Sequence, residues 1–377
     1  MARLRSTHYV IRNTQYAILA WLILSTLAIA PYHLAFFNLL AGGPENGYRY
    51  LVDSNLDWGQ NLWDLRAWMA AHDEQVVAYA HYSPARPATY GIDATLLPPS
   101  PRAEAFTPWA PAPGLYAIGA TVLQGPYAPD PNTYAWFRAR EPEAKLGHAL
   151  FVYRVASRPP ANWAVLCAGT GFGPGRVRSD LDQPDLRVLQ LECGQAYAMP
   201  PGAGLVVAPP DLQPPEGVDR DFALRAADDS TTAVVYRVDA VPTPSHPVAG
   251  VELDGPLAFL GYDLASDHVA PGETLVLRTY WRVGRVPGRP LSLMAHLIGP
   301  EGGAVAVGDG LGFPVEQWRP GDVIVQRHTL AIPPEASPGA YALHTGGYWL
   351  DTMARWPVGA DAGADVISLT DVRIADD

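Results

Sequence analysis

Between positions 53 and 64 the chain places three carboxylates (Asp53, Asp57, Asp64), three side-chain amides (Asn55, Gln60, Asn61) and the indole of Trp58. Carboxylates and amides hydrogen-bond sugar hydroxyls, and an aromatic face covers the apolar side of a pyranose. Asp57, Asn61 and Asp64 stand at i, i+4 and i+7, which predicts one polar helix face. Trp58, Leu62, Leu65 and Met69, at i, i+4, i+7 and i+11, predict the apolar face opposite. The bland reading is a helix cap and a solvated face. Ser54 with Asp57 three residues on is a capping-box pattern, and a carboxylate near a helix N-terminus is stabilising by itself. For Asp53, Ser54 and Asp57 that reading is preferred. The same carboxylates touch the calcium-loop pattern, but Gly59 falls one place late and Asp64 stands where a bidentate Glu belongs, so no metal is expected. A different chemistry, glycoside hydrolysis, would pair Asp57 with Asp64. It requires carboxyl groups about 5–5.5 Å apart for retention or about 6.5–9.5 Å for inversion.

Trp281, Trp318, Tyr348, Trp349 and Trp356 are candidate sugar-stacking platforms in the C-terminal third. Aromatics on strands more often fill a core, and that reading leads. No G-x-S-x-G, H-E-x-x-H or P-loop pattern is present, so nucleophilic catalysis finds no support. Gly169 to Gly175 is Gly-rich, but the sequence around it predicts no strand–turn–helix frame and Pro174 falls where a helix should open. A dinucleotide cofactor is therefore not expected, and no other cofactor is either. Cys167 and Cys193 are the two cysteines. They form one disulfide outside the cytoplasm or stay as two buried thiols, and the sequence leaves both open.

The elements that must hold these residues begin with an apolar run from Tyr16 to Leu40, broken by Pro31. A spanning helix needs about 20 apolar residues, which the run supplies only by continuing past that proline. Arg3, Arg5 and Arg12 precede it and Arg49 is the next arginine after it, so the positive-inside rule places the N-terminus in the cytoplasm and the bulk outside. Ala28-Ile-Ala30 would suit a signal peptidase, but Pro31 as the first mature residue and the aromatic Tyr32, Phe36 and Phe37 favour an anchor. The expectation is a single-pass plasma-membrane protein with 1–15 cytoplasmic, 16–40 spanning and the remainder extracytoplasmic.

With 377 residues, two or three domains are expected. A net charge of −12, with Lys145 the only lysine, excludes a nucleic-acid footprint. The 38 prolines and 35 glycines fit many short strands and turns. Residues 41–157 predict a small α/β domain: a helix after Trp58, strands over 75–82, 114–123 and 149–155, and a short helix over 132–140. Residues 158–241 predict a small β domain, and Pro242 to Pro247 a linker. Residues 248–377 predict a β-sandwich with strands over 257–262, 274–283, 291–298, 323–332 and 340–349, three of them introduced by the Pro-Gly turns at 271, 320 and 338.

The segment Pro31 to Asn38, followed by Ala41 to Gln60 with its Gly-Gly-Pro and Asp-Ser-Asn-Leu-Asp-Trp-Gly-Gln stretches, resembles one family. It is similar to the C-terminal part of bacterial family-39-type glycosyltransferases, relatives of protein mannosyltransferases that use a polyprenyl-phosphate sugar. The likeness continues through Tyr90 to Ile92, Gly114 to Ile118 and Tyr134 to Tyr153, and the sandwich, with Leu260 to Asp263 and Thr279 to Arg282, resembles modules appended to such enzymes. In that family the catalytic acidic residues lie in an early loop between N-terminal membrane helices, which these residues do not match. The resemblance therefore implies a non-catalytic region that binds a glycan, a lipid-linked sugar or an acceptor, beside a multi-span catalytic subunit. A membrane-anchored hydrolase and a structural envelope protein are the alternatives.

Overall fold

The computed structural model describes residues 2–212, 218–226, 228–359 and 364–375. It is mostly β-sheet and divides into two compact units, Met1–Arg158 with Arg225–Asp228, and Pro159–Leu224 with Asp229–Asp377.

The first unit opens with helix α1 (Ala2–Ala28). The helix does not fill 16–40 as expected. It stops before Pro31, whose ring and missing N–H oppose helix at and before it, and the chain continues as 3₁₀ turns at His33–Ala35 and Leu39–Ala41. Among the described residues, no helix is long and apolar enough to cross a membrane. Then come α2 (Pro44–Gly47), α3 (Leu62–Ala71), β1 (Val76–Ala80), β2 (Asp93–Leu96), β3 (Gly114–Gly119), α4 (Ala120–Gln124), α5 (Ala135–Arg138), β4 (Ala144–Leu146) and β5 (Leu150–Val155). The sheet order is β2-β1-β3-β5-β4. β1 is parallel to both β2 and β3, whereas β5 runs antiparallel to β3 and β4. Leu62, Leu65 and Met69 of α3 pack on Val77, Tyr79, Ala117 and Val152. The predicted apolar stripe thus exists, but without Trp58, which precedes the helix.

The second unit contains β6 (Trp163–Cys167), α6 (Pro174–Asp180), β7 (Arg187–Leu191), β8 (Ala196–Met199), β9 (Gly204–Ala208), β10 (Asp219–Arg225, all but its last residue) and β11 (Thr231–Val238). Its first sheet, β10-β11-β9-β6-β7, is not the purely β domain expected for 158–241. β6, α6 and β7 form a parallel β–α–β crossover, and β9 is also parallel to β6. The Gly-rich stretch 169–175 therefore does lie between a strand and a helix. Pro174 opens α6 because the first helical turn needs no N–H there. Cys167 and Cys193 are joined as a disulfide across the ends of β6 and β7.

The chain continues through β12 (His246–Glu252), β13 (Leu257–Leu264), β14 (His268–Val269), β15 (Thr274–Val283), β16 (Leu291–Ile298), β17 (Ala304–Val307), β18 (Val323–Ala331), β19 (Gly339–Trp349) and β20 (Ile367–Ile374). They build two sheets, β12-β13-β15-β18-β8 and β14-β20-β19-β16-β17, whose inner faces share one core. The stretch 242–247 is not wholly a linker, since β12 starts at His246. β8 leaves the preceding block to pair with β18, so the β-sandwich is completed from outside 248–377.

His328 of β18 is buried. Its Nδ1–H donates to Gly308 O at 2.7 Å, and Thr279 Oγ1 lies 2.8 Å from its Nε2 while accepting Trp281 Nε1–H. Burial pushes the imidazole down to about 4, against the opposing pull of the Gly308 carbonyl and the Asp309 charge. The unfolded imidazole takes its proton near pH 6.5 and the folded one does not. This contribution to stability is therefore complete above about pH 6.5 and is lost as pH falls toward 4, on the order of 3 kcal/mol in all. Urea midpoints measured from pH 7 to 4.5 should fall, and His328→Gln should flatten the slope. An unchanged slope would refute this assignment.

Candidate functional site

The parallel strands β2, β1 and β3 end on one edge of the first sheet, where α/β folds place ligands. His81, Tyr82 and Ser83 follow β1, Pro99 to Arg102 follow β2, and Thr121 follows β3. The stretch from Asp53 to Gln60 is fixed against this edge. The Asp53 N–H donates to Thr121 Oγ1 at 2.8 Å.

Asp57 is the anchor, and it is not on a wet helix face: its side chain is only 3% exposed. Oδ1 accepts the Gly59 N–H at 2.7 Å, Oδ2 lies 2.7 Å from His81 Nε2, and the Tyr82 hydroxyl donates to the Asp57 carbonyl. The Ser83 N–H donates to His81 Nδ1 at 2.9 Å, so that nitrogen carries no proton and Nε2–H donates to Asp57. The pair resembles two-thirds of a catalytic triad but cannot act as a base, because the accepting nitrogen is already occupied. Two glycines make room for it. A Cβ on Gly119 would lie 2.6 Å from His81 Cδ2, and one on Gly59, where φ is +94°, would lie 2.4 Å from the Ala85 Cβ.

Holding Asp57 inward turns Trp58 outward. Trp58 is 54% exposed and Tyr127 is 57% exposed. Together with Asp53, Ser54, Tyr82 and Pro99 they line an open groove of about 650 Å³. Trp58 lies 6.1 Å from Tyr82, and Tyr82 stacks on Tyr127 at 5.5 Å with 16° between planes. Tyr127 donates to Asp53 Oδ2 at 2.8 Å. Burial, followed by the charges of Asp53 and Asp57, pushes the Tyr82 phenol up to about 12, and the bond to Asp53 raises that of Tyr127. Both hydroxyls therefore remain donors at neutral pH. Adjoining the groove through Tyr82 and Pro99 is a cleft of about 620 Å³.

The other sequence candidates separate. Gln60 closes the loop by accepting the Trp58 N–H at 2.7 Å. Asn55 is exposed away from the groove's lining. Asn61 is buried beside Gly147, with neither amide atom hydrogen-bonded. Asp64 interacts with the Tyr32 hydroxyl. Neither Ser54 nor Asn61 caps α3 through its side chain. The predicted polar face fails because the chain from 53 to 60 is not helical beyond a single 3₁₀ turn at Asp53–Asn55. Hydrolysis by Asp57 with Asp64 has no basis here, since Asp57 is sealed and both its oxygens are engaged. Among the described residues no cluster of three or more His, Cys, Asp or Glu side chains could hold a metal.

In the sandwich the platform expectation is corrected. Trp281, Trp318 and Trp356 are buried. Trp281 donates to Thr279 and Trp318 to the Phe313 carbonyl. Trp349 packs edge-on against Trp356, and the Arg289 guanidinium sits 4.7 Å from its ring. Tyr348 donates to Asp309 Oδ2 at 3.1 Å. His81, Tyr82, Pro99, Thr121 and Tyr127 were not singled out from sequence. Only His81 and Tyr82 carried a signal, as the last two residues of the strand predicted over 75–82, which the structure ends at Ala80.

No family model and no curated protein matches the chain. Among solved structures, it is similar to a CARDB domain from Pyrococcus furiosus in complex with di-metal ions, at 12% identity over 37% of this chain and 100% of that one, with a TM-score of 0.20. It is also similar to a family 123 glycoside hydrolase from Clostridium perfringens, at 11% identity over 32% of this chain and 28% of that one, again with a TM-score of 0.20. Likenesses this weak carry no argument about function.

Proposed function

We propose that this protein is a membrane-anchored, extracytoplasmic accessory protein that binds a glycan or a lipid-linked sugar through its first unit. On this reading it is related to the non-catalytic region of polyprenyl-phosphate-sugar glycosyltransferases and works beside a separate catalytic subunit. The observation that carries the reading is the groove of Trp58, Tyr82 and Tyr127 around Asp53, to which the stretch that bears the family resemblance supplies Asp53, Ser54 and Trp58. It combines exposed aromatic faces with a carboxylate and two phenol oxygens, which can accept hydrogen bonds from the hydroxyls of a pyranose. The disulfide fits an oxidising compartment. Trp21, Leu22, Ile23 and Leu24 of α1 are more than half exposed, as lipid-facing residues would be.

Titration calorimetry against a panel of neutral and acidic oligosaccharides tests the reading. Removing roughly 50 Å² of indole contact should cost about 1.3 kcal/mol, so Trp58→Ala should weaken binding about tenfold. Trp281→Phe, in the sandwich core, should leave binding unchanged. No saturable binding across the panel, or equal binding by Trp58→Ala, would overturn the proposal.

A further inference from the structure

The cleft beside the aromatic groove has a different character. Its floor is apolar, formed by Pro87, Ile92, Ala94 and Leu96, and His81, locked to Asp57, forms part of its wall. Arg86 and Arg102 stand exposed at its rim, and neither has an ion-pair partner among the described residues. Ser83 and Ser100 add hydroxyls. Tyr79, at the end of β1, also lines the cleft, and its buried hydroxyl has no hydrogen-bond partner. An unmade hydrogen bond at a buried donor is unfavourable, so a ligand that supplies an acceptor gains there. Asp93 is the one acid in the lining.

We propose that this cleft is a subsite for an anionic sugar residue, with Arg86 and Arg102 taking its carboxylate or phosphate while the neighbouring sugar lies on Trp58 and Tyr127. The inference rests on the carbohydrate reading of the groove and specifies the ligand's charge. The whole chain is acidic at −12, which would repel such a ligand at long range. Screening cuts off exposed charges beyond about 8 Å at physiological salt, so the two nearby guanidiniums decide the local attraction. Guanidinium is also the cation whose fork matches carboxylate and phosphate oxygens. Burial holds the Tyr79 phenol far above its ordinary range, so it remains a donor throughout the working pH.

The test is binding of matched oligosaccharides that differ only in a neutral hexose, a hexuronate or a hexose phosphate, at low and at physiological salt. The full chain and its Arg86→Gln/Arg102→Gln variant are compared, both substitutions being at exposed positions. The expected result is at least tenfold tighter binding of an acidic form than of the neutral one, weakening with salt and lost in the variant while neutral binding persists. The hexuronate and phosphate arms tell which anion is taken. Equal affinity for neutral and acidic forms, or an acidic preference the variant retains, overturns the subsite and leaves the groove reading standing. Failure of all three ligands to bind overturns both.

Discussion

Asp322→Ala should destabilise the second unit by about 3–5 kcal/mol, the largest effect expected of a single substitution here. Asp322 is fully buried, and Arg187 grips it with both guanidinium nitrogens, at 2.6 and 2.7 Å. Arg187 also donates to the Gln317 carbonyl at 2.6 Å, and the Arg319 N–H donates to Asp322 at 2.8 Å. This bidentate pair ties β7 of the mixed sheet to the turn before β18 of the sandwich. Removing the carboxylate strands a guanidinium that is only 13% exposed at its side chain. The cost is chiefly that uncompensated charge, not the worth of the pair. An apolar replacement of both partners, Arg187→Met with Asp322→Leu, should therefore recover most of the loss. Urea unfolding of the four proteins checks this. A single-variant loss below 1 kcal/mol, or a double variant worse than Asp322→Ala, would contradict it.

Reducing the Cys167–Cys193 disulfide should cost about 3.5 kcal/mol. The two residues are 26 apart, and closing a loop of that length removes roughly this much free energy from the unfolded chain. For a unit of this size that corresponds to a fall in melting temperature of about 10 °C. The bridge joins the end of β6 to the segment just after β7, and both cysteines are buried. Calorimetry with and without reductant, and of Cys167→Ser/Cys193→Ser, gives the comparison. A melting temperature unchanged by reduction would show that the bridge contributes nothing to stability.

Local pattern was enough wherever the determinant is local. Strands 274–283 and 291–298 fall where turn chemistry and apolar runs place them, because both signals are written in adjacent residues. The cause of the helix's end, Pro31, is itself in the sequence, but the apolar composition continues past it from Tyr16 to Leu40. The stretch from Asp53 to Gln60 was marked as chemical by its residue types alone, and Asp53 and Trp58 do line a groove.

What the sequence left open depends on partners far along the chain. Asp57 is buried because His81, 24 residues on, supplies its hydrogen bond, and Asp53 is pinned by Thr121 and Tyr127, 68 and 74 residues away. A helical wheel cannot contain those contacts, so it put Asp57 outside and Trp58 inside, the reverse of their positions. Pairing of the two cysteines waited on β6 and β7 being parallel neighbours. The sequence by itself marked the stretch from Asp53 to Gln60 by its residue types and placed most of the sandwich strands. Only the tertiary structure decided which of those residues face solvent, since burial is settled by what packs across the fold and not by spacing along it.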